Sequence, residues 1–201
     1  MKQIAKIISI LFHPLFIPTY GTFLLYTTTR FQQVPWLPKL IVAVMVFCCT
    51  AIIPAMFIYL FLKLGKITTV TISNRKERTR PYIYSLGAYL LCAYYVSKVN
   101  MPGWYVAMLC GSAISIVSLI LINLKWKISA HLSGMGGLLA GILVVSFRYI
   151  LNPVALVIAV ILLSAAVASS RISLDEHTPA QTLAGFFNGF IFVLFSGLMF
   201  G

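Results

Sequence analysis

Ser170 and Arg171, five further residues, and then His177 form the densest group of reactive side chains in the chain. Arg171 offers a planar fork of donors that matches phosphate oxygens. His177 offers a ring nitrogen able to attack, or to exchange a proton, near neutral pH. Two of the chain's three acids, Asp175 and Glu176, lie between them. Long apolar runs flank the group on both sides, and membrane segments retain such residues only at a cost, so the spacing points to a functional site. Phosphate chemistry at a membrane surface is what these residue types would perform.

Two other polar stretches belong with it. The first reads Ser73-Asn74-Arg75-Lys76-Glu77-Arg78-Thr79-Arg80-Pro81. Its cations either orient the neighbouring helix by the positive-inside rule or form an anion cradle, with Pro81 opening the next helix. The second reads Lys125-Trp126-Lys127-Ile128-Ser129-Ala130-His131, followed by Gly134, Gly136 and Gly137. Ser129 suits a helix N-cap, and the glycines permit close helix packing or close approach of a ligand. His131 alone would read as an interfacial histidine bonded to backbone; beside two other polar loops it reads as part of a shared site. Thr178-Pro179 starts the last helix, which brings free amides and a positive dipole end near His177. His13, next to Pro14, would bond a carbonyl freed by a broken helix or line a path for lipid.

The elements that must position these residues follow from composition. Of 201 residues 61% are hydrophobic and 9% charged, which specifies an all-α, polytopic membrane protein with a single membrane domain over residues 1–201. The net charge of +12 lies in short loops between apolar runs, so it reads as topology signals, anionic-lipid contacts and phosphate ligands, with no nucleic-acid partner. Cys48, Cys49, Cys92 and Cys110 sit inside apolar runs without metal-ligand spacing and read as small buried hydrophobes.

Charge-free runs occur at 7–29, 40–62, 81–97, 99–124, 128–147, 149–170 and 178–201. Since a crossing takes about 20 apolar residues, six or seven transmembrane helices are expected in one bundle, with seven favoured. The first run carries His13-Pro14 and Pro18, which break or kink a helix, and it lacks a small-residue cleavage site, so it reads as retained. Trp36, Trp104 and Trp126 fall at run ends, as an interfacial belt requires. Two runs separate each polar loop from the next, and an even number of crossings returns the chain to one face. The loops at 63–81, 125–131 and 170–177 should therefore share a side. With seven spans and a cytoplasmic N-terminus that side is cytoplasmic and holds 11 of the 15 cations.

The ordered set resembles the type 2 phosphatidic acid phosphatase superfamily, whose motifs run Lys-x6-Arg-Pro, Pro-Ser-Gly-His and Ser-Arg-x5-His-x3-Asp. Arg80-Pro81 matches the end of the first motif, and Ser129 and His131 match the second. Ser170, Arg171 and His177 match the third, with Gln181 where the family has aspartate. Ser73 stands where the family lysine would be, so Arg75 or Lys76 takes that role. The resemblance covers roughly 70 to 181 and implies a metal-independent, cofactor-free phosphatase of lipid phosphates or diphosphates in the bacterial inner membrane. In that scheme His177 attacks phosphorus, His131 protonates the leaving group and Gln181 orients the His177 ring. Arg80, Arg171, Arg75, Lys76, Ser129 and Ser170 hold the phosphate. The acids would face water or pair with Arg78 and Lys127. Gln181 cannot balance an imidazolium charge, which leaves a non-catalytic lipid-phosphate binding or transport protein as the alternative, and a structural membrane subunit as a third class.

Overall fold

The computed structural model describes every residue except Met1, Thr29, Val70, Ile150 and Gly201, and Arg30 by its backbone alone. Regular structure among the described residues is helical. The order is α1 Lys2–Leu11, α2 Ile17–Thr28, α3 Trp36–Lys63, α4 Thr79–Val96, α5 Gly103–Asn123, α6 Ala130–Tyr149, α7 Val154–Ser173 and α8 Pro179–Met199. Five of these, α3 and α5 to α8, are long and apolar enough to cross a membrane. Helices α1, α2 and α4 fall outside that set. Large apolar side chains such as Leu40, Met56, Leu121, Leu162 and Phe195 are exposed on the outer surface, as expected where lipid is the solvent.

The first apolar run is broken, and the freed backbone groups are accounted for. The residue before a proline is pushed out of helical geometry, so α1 stops ahead of His13-Pro14. Leu15 donates its amide to His13 Nδ1 at 3.4 Å, and Tyr20 Oη donates to the Leu11 carbonyl at 2.8 Å. Thr50 Oγ1 lies 3.2 Å from the Leu15 carbonyl. Thr50 belongs to a π-helical turn, Cys48–Ile52, inside α3. Pro54 follows four residues later, and the widened turn accommodates the donor it lacks.

At the centre, α6 and α8 pack backbone to backbone. A Cβ on Gly136 would stand 1.9 Å from the Phe186 carbonyl oxygen, and one on Gly189 would stand 1.8 Å from that of Ser133. Gly185 and Gly189 form a small-xxx-small stripe of the kind that lets membrane helices approach closely. Polar bonds tie α5 into the same contact. Asn188 Nδ2 donates to Ser115 Oγ at 2.8 Å and to Ser133 Oγ at 3.1 Å, and all three side chains are buried.

Trp104 corrects part of the aromatic-belt expectation. It is 7% exposed and packs edge-on against Tyr105 and Tyr149, whereas Trp36 and Trp126 are exposed. Its run end folds back on the bundle instead of facing the interface. The cysteines are free, two buried and two half-buried.

Candidate functional site

The three polar loops meet at one end of the bundle. Arg75 Nη1 donates to the Asn123 carbonyl at 2.7 Å, and Asn123 Nδ2 returns a bond to the Arg75 carbonyl at 3.0 Å. Lys127 Nζ and Glu176 Oε2 are 3.2 Å apart. Ser73 Oγ donates to Glu176 Oε1 at 2.5 Å.

The third loop owes its shape to a helix C-cap. Asp175 holds a left-handed φ of +57°. Its amide bonds the Ile172 carbonyl at 2.9 Å, and the Glu176 amide bonds the Arg171 carbonyl at 3.1 Å. That is the Schellman pairing, with aspartate where glycine is usual. The His177 amide also reaches the Arg171 carbonyl, at 3.3 Å. Five intervening residues therefore fold into one turn that sets His177 beside Arg171.

On the far side of the ring, Thr178 and Gln181 form a capping box at the start of α8. Gln181 Oε1 accepts from the Thr178 amide at 3.2 Å and faces His177 Nδ1 at 3.1 Å. An amide oxygen only accepts, so Nδ1 carries the ring proton and Nε2 presents a lone pair. Nε2 faces Arg78 Nη1 at 3.4 Å. Burial pushes His177 down from 6.5 to about 3, helped by the charges of Arg78, Arg171 and Lys127 and opposed by the Gln181 hydrogen bond. The ring is neutral at physiological pH.

Three cations surround one carboxylate oxygen. Glu176 Oε2 lies 3.7 Å from Arg78 Nη2, 3.2 Å from Lys127 Nζ and 3.7 Å from Arg171 Nη2. Burial alone would raise the Glu176 carboxyl. The bonds from Ser73 and Lys127 and the charge of Arg171 outweigh it and hold the group below its ordinary value. Arg171 is 4% exposed, and its Nε has no partner. An open donor on a buried guanidinium is what an anion site leaves for its ligand.

Several expected ligands stand elsewhere. Arg80 and Lys76 are exposed, and Arg75 is engaged by Asn123. The first loop's cation in the cluster is Arg78, 5% exposed, with Nε on the Ile72 carbonyl at 2.8 Å. The reason is helical phase: α4 begins at Thr79, and two residues place Arg78 and Arg80 on nearly opposite sides of its first turn. Ile72, with φ +48°, aims that carbonyl inward; such a conformation in a β-branched residue is strained. Ser170 turns its hydroxyl back to the Ala166 carbonyl at 2.8 Å, away from the cluster. Ser129 stands at the N-cap position of α6, fully buried, but its hydroxyl has no partner, while its amide donates to the Gln181 carbonyl.

His131 lies on the inner side of the cluster, within electrostatic reach of Arg171 and His177. Its Nε2 donates to the Ser9 carbonyl at 3.1 Å, so Nδ1 is its open edge. His13 packs edge-on against it, with ring centroids 5.0 Å apart. Asp175 is exposed and pairs with Lys2 at 3.6 Å. Among the described residues no three His, Cys, Asp or Glu side chains are grouped to hold a metal ion.

Lys127 and Arg78 entered the sequence reading only as partners for the acids, and Ser73 only as a missing lysine. The signal for Arg78 was its place three residues ahead of Pro81, which stands in the first turn of a helix that begins at Thr79. Compared with protein-family models, curated proteins and solved structures, the chain matches none.

Proposed function

We propose that this protein is an integral-membrane phosphatase that releases phosphate from a lipid phosphate or diphosphate through a phosphohistidine on His177. The observation that carries the reading is the His177 ring itself. It is neutral, with Nδ1 fixed by Gln181 and Nε2 turned toward the Arg78, Lys127 and Arg171 cluster. In the proposed reaction the Nε2 lone pair attacks phosphorus and the bridging P–O bond breaks. The cations stabilise the charge on the equatorial oxygens. The substrate enters as the monoanion: its P–OH proton passes to the lone pair at the open Nδ1 edge of His131 and from there to the leaving oxygen. Water then attacks the phosphohistidine, the P–N bond breaks and inorganic phosphate leaves.

One observation favours a second reading, in which the cluster holds a lipid phosphate without cleaving it. Glu176 already occupies the cations, and a substrate must displace its carboxylate. Phosphate release by the purified protein separates the two. The panel is isoprenyl diphosphate, phosphatidylglycerol phosphate, phosphatidate and lipid A, with and without EDTA. The phosphatase reading expects metal-independent release, abolished in His177→Ala, and an acid-labile phosphoprotein on rapid quench. Tight binding without release supports the second reading.

The proposal extends to topology. Helices α1 and α2 together make one broken crossing, α4 makes another, and with the five long helices the chain crosses the bacterial inner membrane seven times. The site loops and the N-terminus then share a face.

A further inference from the structure

A cavity of about 460 Å³ runs through the bundle beneath the site. Its size is that of a ligand pocket, commonly about 300 to 1,000 Å³. Its walls are apolar side chains such as Leu24, Leu109, Leu138 and Leu156, with Gly137 and Gly141 along one side of α6. The inner end is bordered by Pro14, Tyr82 and Ala130. Each adjoins the site: Pro14 follows His13, Ala130 precedes His131, and the Tyr82 hydroxyl lies beside Arg78 and within reach of the Arg171 charge. The other end reaches Ser146 and Asn152.

From Ala130 to Ser146 the α6 axis extends about 24 Å at about 1.5 Å per residue. One leaflet of the hydrocarbon core is about 15 Å, half of the full thickness. The cavity is therefore deeper than a leaflet. Its near end comes within one residue of His13 and of His131, and the Tyr82 hydroxyl there lies within reach of the charge of Arg171, whose Nε is unpartnered. A chain lying in the cavity would present a phosphate to the inner side of the cluster, opposite the water-facing loop that carries Asp175.

We propose that this cavity is the binding site for the hydrocarbon chain of the substrate, and that it selects a lipid phosphate whose chain is longer than one leaflet. This rests on the phosphatase reading for its headgroup. The chain enters from the bilayer between helices, the phosphate comes to lie between Arg171, Arg78 and His177, and the bridging oxygen falls next to His131. The lipid alcohol released by cleavage remains in the cavity until it leaves to the membrane.

Gly141 gives a direct test. A Cβ there meets only Met108 Sδ, at 3.8 Å, so a larger side chain grows into the cavity without striking backbone. Gly141→Leu and, independently, Ser112→Leu should shorten or narrow it. The full-length protein in detergent is assayed with hexyl, hexadecyl and polyprenyl phosphates, and thermal unfolding confirms that each variant is folded. Wild type should show kcat/KM rising with chain length through polyprenyl. In the variants the ratio of polyprenyl to hexyl kcat/KM should drop tenfold or more. A ratio unchanged in both folded variants overturns the proposal, as does a wild-type preference for hexyl. Crosslinking by a polyprenyl phosphonate carrying a diazirine at the chain end is the companion measurement. Labelling near Ser146 or Asn152 in a protein that releases no phosphate would sink the phosphatase reading and keep the cavity. Labelling only on the outer surface would sink the cavity and leave the phosphatase reading standing.

Discussion

Gln181 acts on the His177 imidazole and Glu176 on the cations beside it, and they make separable predictions. Gln181 fixes the ring but gives no charge, so Gln181→Ala should lower turnover of a lipid phosphate through misorientation, whereas Gln181→Asp should retain or raise it. Equal damage in both, at matched stability, would remove Gln181 as the orienting residue. Glu176 competes with phosphate for Arg78, Lys127 and Arg171. Glu176→Gln should bind vanadate, a phosphate mimic, at least tenfold more tightly in a direct titration, at some loss of thermal stability because a buried ion cluster is left unbalanced. Unchanged vanadate affinity would mean the ligand does not use these cations. Protonation gives a third expectation. His177 is neutral when folded, with a value lowered from 6.5 to about 3, so the unfolded chain binds the extra proton between those limits. Stability then falls as pH drops below 6.5, by roughly 1.4 kcal/mol per pH unit for this one group. Lowered Glu176 adds loss in the same direction, below its unfolded value of 4.5. Thermal unfolding in detergent between pH 7 and 5 should show at least this slope, and His177→Asn should reduce it by that amount.

Among the elements, long apolar runs were legible because hydropathy needs no partner, and the break at His13-Pro14 was legible because proline acts locally. Convergence of the three polar loops was legible through parity. What stayed hidden depended on phase and on contact. Arg80 was chosen by motif, yet the start of α4 at Thr79 turned Arg78 inward instead. The π-turn in α3 and the Asn188–Ser115–Ser133 bonds depend on neighbours far away in sequence. Glycines after His131 announced close packing but not its partner, which proved to be α8. That contact carries its own prediction. A methyl on Gly189 would meet the Ser133 carbonyl oxygen at 1.8 Å, with only backbone to yield. Gly189→Ala should force α6 and α8 apart, lower the unfolding temperature in detergent and reduce activity. Gly87→Ala has open space around its Cβ and serves as the control. Equal behaviour of the two would contradict the observed packing.

At the scale of the whole molecule, the broken helix pair runs from the site end of the bundle to the other end. Lys2 at the start of α1 pairs with Asp175 of the site loop, and Ser9 supplies the carbonyl that holds His131. Thr28 at the end of α2 lines the cavity together with Asn152, beyond the other end of α6. So α1 and α2 begin at the site end and finish at the opposite one, although neither is long and apolar enough to cross alone. The same reasoning places α4 between the site loop and the Asn100 turn. If the pair and α4 each make a crossing, exposed Thr68, Lys125 and Ser173 lie on one membrane face, and exposed Lys98 and Asn152 lie on the other. Single cysteines at these five positions, in a background with Cys48, Cys49, Cys92 and Cys110 replaced, should divide three against two when labelled with an impermeant thiol reagent in intact cells and in inverted vesicles. A tag fused ahead of Met1 should be protected together with the group of three. Should the tag group with Lys98 and Asn152, α1 and α2 do not cross as a unit. Should the first three positions divide between faces, Arg78, Lys127 and Arg171 do not share a site in the membrane, and the phosphate reading fails with them.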